Sequence, residues 1–257
     1  MKVITIANQK GGSGKSSTAA ALAAMLAEDG HRVLCIDLND QADFTDMMGA
    51  PAGSKGSIGL FTGADPAKLV EETNVLRVEM IPAGEDIALL DMKISATGRE
   101  RALLLDKALK PLRRAYRYCI IDAPGVFNTA MLDALAVADY LVIPAQADVM
   151  SLKGIRRMIT NIRQVRDAVN PDIKIAGILL TRYQGRRNLS NETIEILQAA
   201  EQTIGAKLFN TKIRENVKVA EAPGHKQSVI TYAPTSNGAE DYKSFYRELK
   251  DIIEERE

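Results

Sequence analysis

Short apolar runs recur along the chain and alternate with longer segments in which apolar residues have helical spacing. The continuous runs are rich in Val and Ile, which predicts strands buried on both faces of a sheet. They cover residues 3–7, 32–38, 118–122, 141–144 and 173–181. Two weaker runs, 75–82 and 206–209, predict further strands. Charged residues in the first of these favour an edge strand or a strand with one solvated face.

Helical segments follow most of these runs. Residues 18–28, rich in Ala and Leu, predict a first helix, and residues 151–169 predict a long one. Asn237 is expected to begin the last helix, with Glu240 as its capping-box partner. Because no linker or repeat interrupts the alternation, residues 1–257 are expected to form a single α/β domain with a twisted, mostly parallel sheet and helices on both faces.

A glycine-rich stretch joins the first strand to the first helix. It reads Lys10-Gly11-Gly12-Ser13-Gly14-Lys15-Ser16-Ser17. Glycines permit a tight turn that aims successive N–H groups at phosphate oxygens, and the helix N-terminus adds positive potential. Lys15 is therefore predicted to contact the β- and γ-phosphates of a nucleotide, and Ser16 to supply a hydroxyl to Mg²⁺.

The spacing of this stretch departs from two other glycine motifs. In G-x-x-x-x-G-K-[ST] the first glycine falls at position 9, which is Gln9, and a second lysine, Lys10, heads the loop instead. The dinucleotide pattern G-x-G-x-x-G also fails, because Ser17 stands where its third glycine belongs. The sequence indicates the variant loop K-G-G-x-G-K-[ST] rather than a turn without a ligand.

Two apolar runs each end in an aspartate, Asp37 in the second run and Asp122 in the third. Ligands of open parallel sheets bind outside the carboxyl ends of the strands, so both carboxylates are expected near the glycine-rich loop. Asp122 fits the Walker B position, from which a carboxylate holds Mg²⁺ directly or through water. Residues 39–43 are expected either beside the nucleotide or in a turn that caps the next helix.

Composition and charge narrow the picture. The formal net charge is zero, no apolar run approaches about eighteen residues, and no signal peptide precedes the first strand, so a cytoplasmic protein without membrane association is expected. Residues 151–239 nevertheless carry fourteen Lys or Arg against seven Asp or Glu. Part of this excess is a solvated helix face. Five cations are instead predicted in or beside loops, where they suit a phosphate backbone without base recognition: Arg182, Arg186, Arg187, Arg214 and Lys218.

With these features the chain resembles the ParA-type DNA-partition ATPases of the ParA/Soj/MinD superfamily, which share the variant loop. The likeness runs almost from end to end. Besides residues 10–17 it covers Ile36-Asp37-Leu38-x-x-Gln41, Ile120-Ile121-Asp122-Ala123-Pro124, Arg187-Asn188-Leu189, Asn216-Val217-Lys218-x-x-Glu221-Ala222-Pro223-x-His225 and Gly238-Ala239-Glu240-x-Tyr242.

The resemblance implies a P-loop ATPase that uses ATP and Mg²⁺ and forms a sandwich homodimer on binding ATP. The loop from Gly11 to Ser17 would bind the nucleotide, and the region from Ile213 to Pro223 would lie near adenine. Ser16 and Asp122 would hold the metal. Lys10 would reach the nucleotide of the partner subunit. Catalytic roles would fall to Lys10, Lys15, Asp37 and Asn39.

The resemblance also implies partners. The dimer would bind double-stranded DNA non-specifically, associated with the nucleoid, through Arg186, Arg187, Arg214 and Lys218. A ParB-like centromere-binding protein would stimulate a weak hydrolysis that serves plasmid or chromosome partition. Members with operator-specific binding carry a long N-terminal extension, and this chain, which starts at its first strand, is expected to lack that activity.

One position departs from the family pattern. The second strand of the family usually ends D-L-D-P-Q, whereas this chain reads Asp37-Leu38-Asn39-Asp40-Gln41. The aspartate that positions the attacking water is thus replaced by Asn39. Because an amide is a poorer base than a carboxylate, slow hydrolysis is expected, with Asp37 or Asp40 in place to compensate in part.

Two alternative functions follow from the same residues. An ATP-gated DNA-binding switch with negligible hydrolysis results if Asn39 blocks turnover. An ATP-dependent small-molecule synthetase on the same fold predicts a substrate pocket and no DNA binding. The glutamate-rich tail, residues 254–257, disfavours a membrane-bound MinD-like function, and the absence of paired loop cysteines disfavours a nitrogenase-iron-protein role.

Overall fold

The computed structural model contains one sheet with the strand order β3-β4-β2-β5-β1-β6-β7-β8. The strands are β1 (Lys2–Ile6), β2 (Val33–Asp37), β3 (Glu71–Glu72), β4 (Val78–Ile81), β5 (Tyr118–Asp122), β6 (Tyr140–Gln146), β7 (Lys174–Tyr183) and β8 (Leu208–Arg214). β3 and β4 pair antiparallel, and all other neighbours pair parallel. The structure describes residues 1–51, 56–94, 100, 103–146, 149–184 and 191–254. The predicted α/β fold with a mostly parallel sheet is confirmed.

Helices connect the strands and cover the sheet. The α-helices of the described residues are α1 (Lys15–Glu28), α2 (Asp43–Met47), α3 (Leu90–Lys93), α4 (Leu104–Leu109), α5 (Thr129–Ala136), α6 (Val149–Ala168), α7 (Asn191–Ile204), α8 (Val217–Glu221), α9 (Val229–Tyr232) and α10 (Asn237–Glu254). Short 3₁₀ helices lie at Gly56–Leu60, Pro66–Lys68, Glu85–Leu89, Lys110–Leu112 and Ala222–His225. None of the helices in these ranges combines the length and apolar character that crossing a membrane requires.

Side chains of the sheet alternate between two hydrophobic clusters, one on each face. On one face Val3 and Cys119 pack in a cluster with α4, α5, α6 and α7. On the other face Ile4 and Cys35 pack in a cluster with α1, α2, α9 and α10. Both cysteines, Cys35 and Cys119, are buried free thiols. Because helices cover both faces, the central strands β1, β2 and β5 are buried at nearly every position and mostly apolar, which explains why continuous apolar runs identified them.

β1 lies where the strand order reverses. β5 and β2 follow it on one side of the sheet, and β6 and β7 follow it on the other. A crevice forms at such a point outside the carboxyl ends of the strands. The register places Ile6 opposite Asp122, and Asp122 opposite Asp37. The glycine-rich loop and the two aspartates therefore leave the sheet at the same level.

Two weak strand predictions need correction. The run 75–82 forms a strand only at Val78–Ile81, because Arg77 adopts a left-handed backbone with φ 67°, and β3 rather than β4 occupies the edge. The run 206–209 was predicted too short, since β8 continues to Arg214. β8 is the other edge strand, and its partly exposed polar residues, Asn210, Thr211 and Lys212, interrupt the apolar run on which the prediction relied.

The last helix begins at Asn237, as predicted, but the capping box predicted for it is not formed. Ser236 precedes α10, and its hydroxyl accepts a hydrogen bond from the Ala239 N–H at 3.2 Å. Asn237 is already the first helical residue. The Glu240 carboxylate pairs with Lys243 on the next turn, at 3.0 Å, and does not return to the cap. A serine one residue earlier satisfies the same helix N-terminus.

Candidate functional site

The glycine-rich loop adopts the tight turn that its sequence predicts. Gly12 and Gly14 have φ of 70° and 86°, the left-handed conformation that favours glycine. Gly14 directly precedes α1, and Lys15 and Ser16 form the first turn of that helix. The N–H groups of this turn have no partner within the helix, so they face the space above β1.

Contacts from distant parts of the chain hold the loop. The Thr181 hydroxyl donates to the Ser13 carbonyl at 2.8 Å, and the Gln146 side-chain amide donates to the Gly12 carbonyl at 2.7 Å. These two residues stand near the carboxyl ends of β7 and β6. Sequence reasoning missed both, because only the sheet topology brings them to the loop.

Ser16 and Asp122 meet at the base of the loop. The Ser16 hydroxyl donates to Oδ2 of Asp122 at 2.6 Å, while Oδ1 of the same carboxylate is buried and has no hydrogen-bond partner among the described residues. A hydroxyl beside an unsatisfied carboxylate oxygen suits Mg²⁺, which takes one or two protein oxygens and keeps water and phosphate as its other ligands. No group of three or more His, Cys, Asp or Glu suited to a metal occurs in the described part of the chain.

Charges at this point are buried and interact with one another. Burial raises the pKa of Asp122, and the neighbouring Asp37 carboxylate raises it further, while Lys15 opposes the shift. Burial lowers the pKa of Lys15, and the carboxylates of Asp122 and Asp43 act against that. Burial thus disfavours the charged form of the Lys15 ammonium, and the two carboxylates favour it.

Asp37 supports the turn that follows β2. Its Oδ1 accepts the Asn39 N–H at 3.0 Å, and its Oδ2 accepts both the N–H and the hydroxyl of Thr45 at 2.9 Å. Burial raises the pKa of this carboxylate, and the hydrogen bonds from Asn39 and Thr45 oppose the shift. The structure places Asp37 beneath the turn, whereas Asn39 and Asp43 line the cleft.

The cleft above the loop has a volume of 910 Å³. Its walls come from the loop, the turn after β2, the segment after β5, and the region around α8. Ile213 and Pro223, predicted to lie near a base, line its far end. Lys10 lies half-buried at the head of the loop, and its carbonyl accepts a hydrogen bond from the Lys15 ammonium at 3.2 Å.

The cations predicted to contact DNA lie at the rim of this cleft or outside the described residues. Arg214 binds Asp241 through two nitrogens, at 2.9 and 2.8 Å. Lys218 binds Glu221 at 2.8 Å and lies over the ring of Tyr232. The loop that carries Arg186 and Arg187, residues 185–190, lies outside the described residues.

Curated proteins of known name are similar to nearly the whole chain. Sporulation initiation inhibitor protein Soj of Bacillus subtilis is 33% identical over 251 residues, which cover 96% of this chain and 98% of that protein. Chromosome-partitioning ATPase Soj of Thermus thermophilus is 35% identical over 252 residues, with coverage of 98% and 96%. Chromosome partitioning protein ParA of Caulobacter vibrioides (strain NA1000 / CB15N) is 31% identical, with coverage of 97% and 94%.

Solved structures agree on the fold. Cobyrinic acid a,c-diamide synthase from Mycobacterium smegmatis, with bound ATP analog and magnesium, superposes with a TM-score of 0.81 at 25% identity, covering 100% of this chain and 97% of that one. The septum site-determining protein MinD of Pyrococcus horikoshii, complexed with Mg-ADP, has a TM-score of 0.76 at 19% identity, with coverage of 100% and 98%. The second likeness shows the fold alone.

A family model agrees with these relatives. The model AAA_31, described as an AAA domain, matches residues 1–175. That range contains the loop, the turn after β2 and the strand that ends in Asp122. On this match and on the identities with Soj and ParA, the chain belongs to the Soj/ParA family of chromosome-partitioning ATPases.

Proposed function

We propose that this protein binds ATP with Mg²⁺, dimerises, binds double-stranded DNA without sequence preference, and hydrolyses ATP slowly to drive partition of a plasmid or chromosome. The observation that carries the proposal is the unsatisfied Oδ1 of Asp122 beside the Ser16 hydroxyl, under a glycine loop already shaped for phosphates. ATP and Mg²⁺ fit this site by charge and by ligand type, and bound Mg²⁺ would neutralise phosphate charge.

Each wall of the cleft has a role in this proposal. Residues 11–17 bind the phosphates, with the Lys15 ammonium as a fixed cation. Ser16 and Asp122 hold the metal. Ile213 and Pro223 flank the base. Asn39 lines the same cleft, where its amide orients water as a weaker base than a carboxylate.

A second copy of the chain closes the cleft in the proposed active state, with Lys10 reaching the nucleotide of the partner subunit. Two apolar side chains after β5 support a covered surface here, since Val126 is 62% exposed and Phe127 is 40% exposed beside the loop. Exposed apolar groups at the rim of a ligand site are typical of an interface. A ParB-like partner then stimulates turnover in the cytoplasm, at the nucleoid.

The proposal is tested by measuring phosphate release and DNA binding in the same samples, with and without ATP. Wild type is expected to bind a random duplex only with ATP and to release phosphate slowly. Lys10→Ala is expected to bind ATP but to stay monomeric by light scattering. The control is Lys174→Ala, which changes an exposed lysine at the opposite end of the sheet. DNA binding that ignores ATP, or a Lys10→Ala protein that dimerises normally, would contradict this assignment.

A second candidate is a small-molecule synthetase. The similarity to cobyrinic acid a,c-diamide synthase, a TM-score of 0.81 over the whole chain, favours considering it. A synthetase needs a second substrate in addition to ATP, and it does not need DNA. A gel shift with ATP separates the two functions, because the synthetase predicts no shift at any duplex concentration.

A further inference from the structure

Acidic side chains surround the phosphate end of the cleft, and two of them are already committed to other contacts. Both oxygens of Asp37 accept hydrogen bonds from Asn39 and Thr45, and the side chain is fully buried. Asp122 is fully buried and accepts the Ser16 hydroxyl. Neither carboxylate lines the open cleft, so neither is placed to meet a water molecule there.

Three other carboxylates among the described residues line the cleft: Asp40, Asp43 and Glu215. Glu215 follows β8, at the rim of the cleft that carries Arg214, and accepts the Gln184 amide at 2.6 Å. Asp43 is distinguished by its place, because it is the first residue of α2 and lines the cleft together with Lys15. Burial raises the pKa of Asp43, Asp46 raises it further, and the Lys15 ammonium opposes the shift. The Asp43 carboxylate thus shares the cleft with the ammonium that is proposed to contact the phosphates.

The local fold fixes Asp43 in this position. Ala42 takes a left-handed backbone with φ 54°, and Asp43 is the first residue of α2. Behind it Phe44 is fully buried in the core, and Thr45 is tied to Asp37. The buried side of α2 cannot turn outward, so the helix keeps its first residue at the cleft wall.

We infer that Asp43 supplies the carboxylate that faces the attacking water in this protein, in place of the one that Asn39 lacks. The inference rests on the proposed function, ATP hydrolysis. In the step, the water oxygen bonds to the γ-phosphorus, and the bond from that phosphorus to the bridging oxygen breaks with its electron pair left on ADP. The water proton passes to Asp43 and then to solvent, so the products are ADP and inorganic phosphate.

The test is a cycle of four proteins: wild type, Asp43→Asn, Asn39→Asp, and the double variant. Single-turnover hydrolysis and ATP affinity are measured for each. Asp43→Asn is expected to slow wild-type hydrolysis at least about tenfold, the lower end of general-base effects, with ATP affinity changed less than about threefold. In the Asn39→Asp background the same substitution is expected to change the rate less than about threefold, because the carboxylate introduced at position 39 already faces the water.

Asp46→Asn is the matched control, since Asp46 also lies in the first turn of α2 but does not line the cleft. It is expected to hydrolyse ATP like wild type. Equal slowing by Asp43→Asn in both backgrounds would assign Asp43 a structural role and overturn the inference, and so would wild-type rates in Asp43→Asn. Hydrolysis by wild type that is no faster than by Lys15→Ala would overturn the proposed ATPase as well, which distinguishes the two failures.

Discussion

Lys15 and Arg214 line the same cleft, Lys218 lies beside Val217 and Val219 of its rim, and the surroundings of Lys15 differ from those of the other two cations. Lys15 is 5% exposed, donates to a backbone carbonyl, and makes no ion pair among the described residues. The Arg214 side chain is 50% exposed and bound to Asp241, and Lys218 is equally exposed and bound to Glu221. Lys15 is thus a desolvated charge, whereas the two rim cations are solvated charges that already have counterions.

This difference in burial determines how much each cation is expected to contribute to the affinity for a phosphate anion. A buried ammonium has lost its hydration, and a bound phosphate replaces the lost interactions. Removing the ammonium should therefore weaken phosphate binding strongly. A surface cation with its own carboxylate must exchange one partner for another in high dielectric, so its gain is small and depends on salt. Among the cationic side chains, phosphate binding should thus depend most strongly on Lys15 alone, whereas DNA binding should depend on several.

The largest expected effect is that of Lys15→Ala on nucleotide binding. Charge-assisted hydrogen bonds are each worth about 1.5–3 kcal/mol, and Lys15 is expected to contact two phosphates, so ATP affinity should fall at least about 100-fold. Calorimetric titration with Mg-ATP measures it, with Lys174→Ala as the matched lysine control. An unchanged dissociation constant would show that the loop cation does not bind the phosphates.

An intermediate effect is expected for Arg186→Glu combined with Lys218→Glu. Affinity for any duplex should fall about tenfold or more, and the log–log salt slope should become less steep by about 0.9 for each phosphate that is no longer neutralised. ATP-driven dimerisation should survive, which light scattering checks in the same samples. If the weakening were confined to one DNA sequence, non-specific backbone contact would be the wrong description.

The smallest expected effect distinguishes most directly between DNA binding by Lys218 and ATP binding by the glycine-rich loop. Glu221→Gln removes the counterion of Lys218 and should strengthen DNA binding about twofold at low salt, the scale of a surface ion pair, with no change in ATP affinity. Glu240→Gln is the matched control, because Glu240 forms a similar pair with Lys243, three residues on, in α10. Equal gains in both variants would mean that overall charge, rather than release of Lys218, sets the affinity.

The parts of the site that are local in sequence were predicted well. The loop from Lys10 to Ser17 lies between a strand and a helix as expected, because its glycines and its neighbours decide its shape together. Asp122 ends a buried strand and Ser16 lies in the first turn of α1, so the sequence placed both residues at the same edge of the sheet, where they form a hydrogen bond. Ile213 and Pro223 line the cleft, and their place beside adenine, which the family resemblance implied, stays a prediction.

Other parts depend on tertiary contacts that no local pattern records. Thr181 reaches the loop across 168 positions of the chain. Asp37 was predicted near the glycine-rich loop from its place at a strand end, and the family resemblance implied a catalytic role. Only the folded positions of Asn39 and Thr45 show that both of its oxygens accept hydrogen bonds. The predicted length of β8 was too short, because an edge strand with solvent-exposed residues lacks a continuous apolar run.

The bonds from Thr181 and Gln146 to the loop carbonyls have a kinetic consequence. Both donors belong to strands of the sheet, so the folding of the sheet also sets the shape of the loop. Its loss of conformational entropy belongs to folding, and association needs no slow closing step in the loop. Capture of ATP should then approach the diffusional rate, and residence time should be the quantity that differs among variants of the cleft.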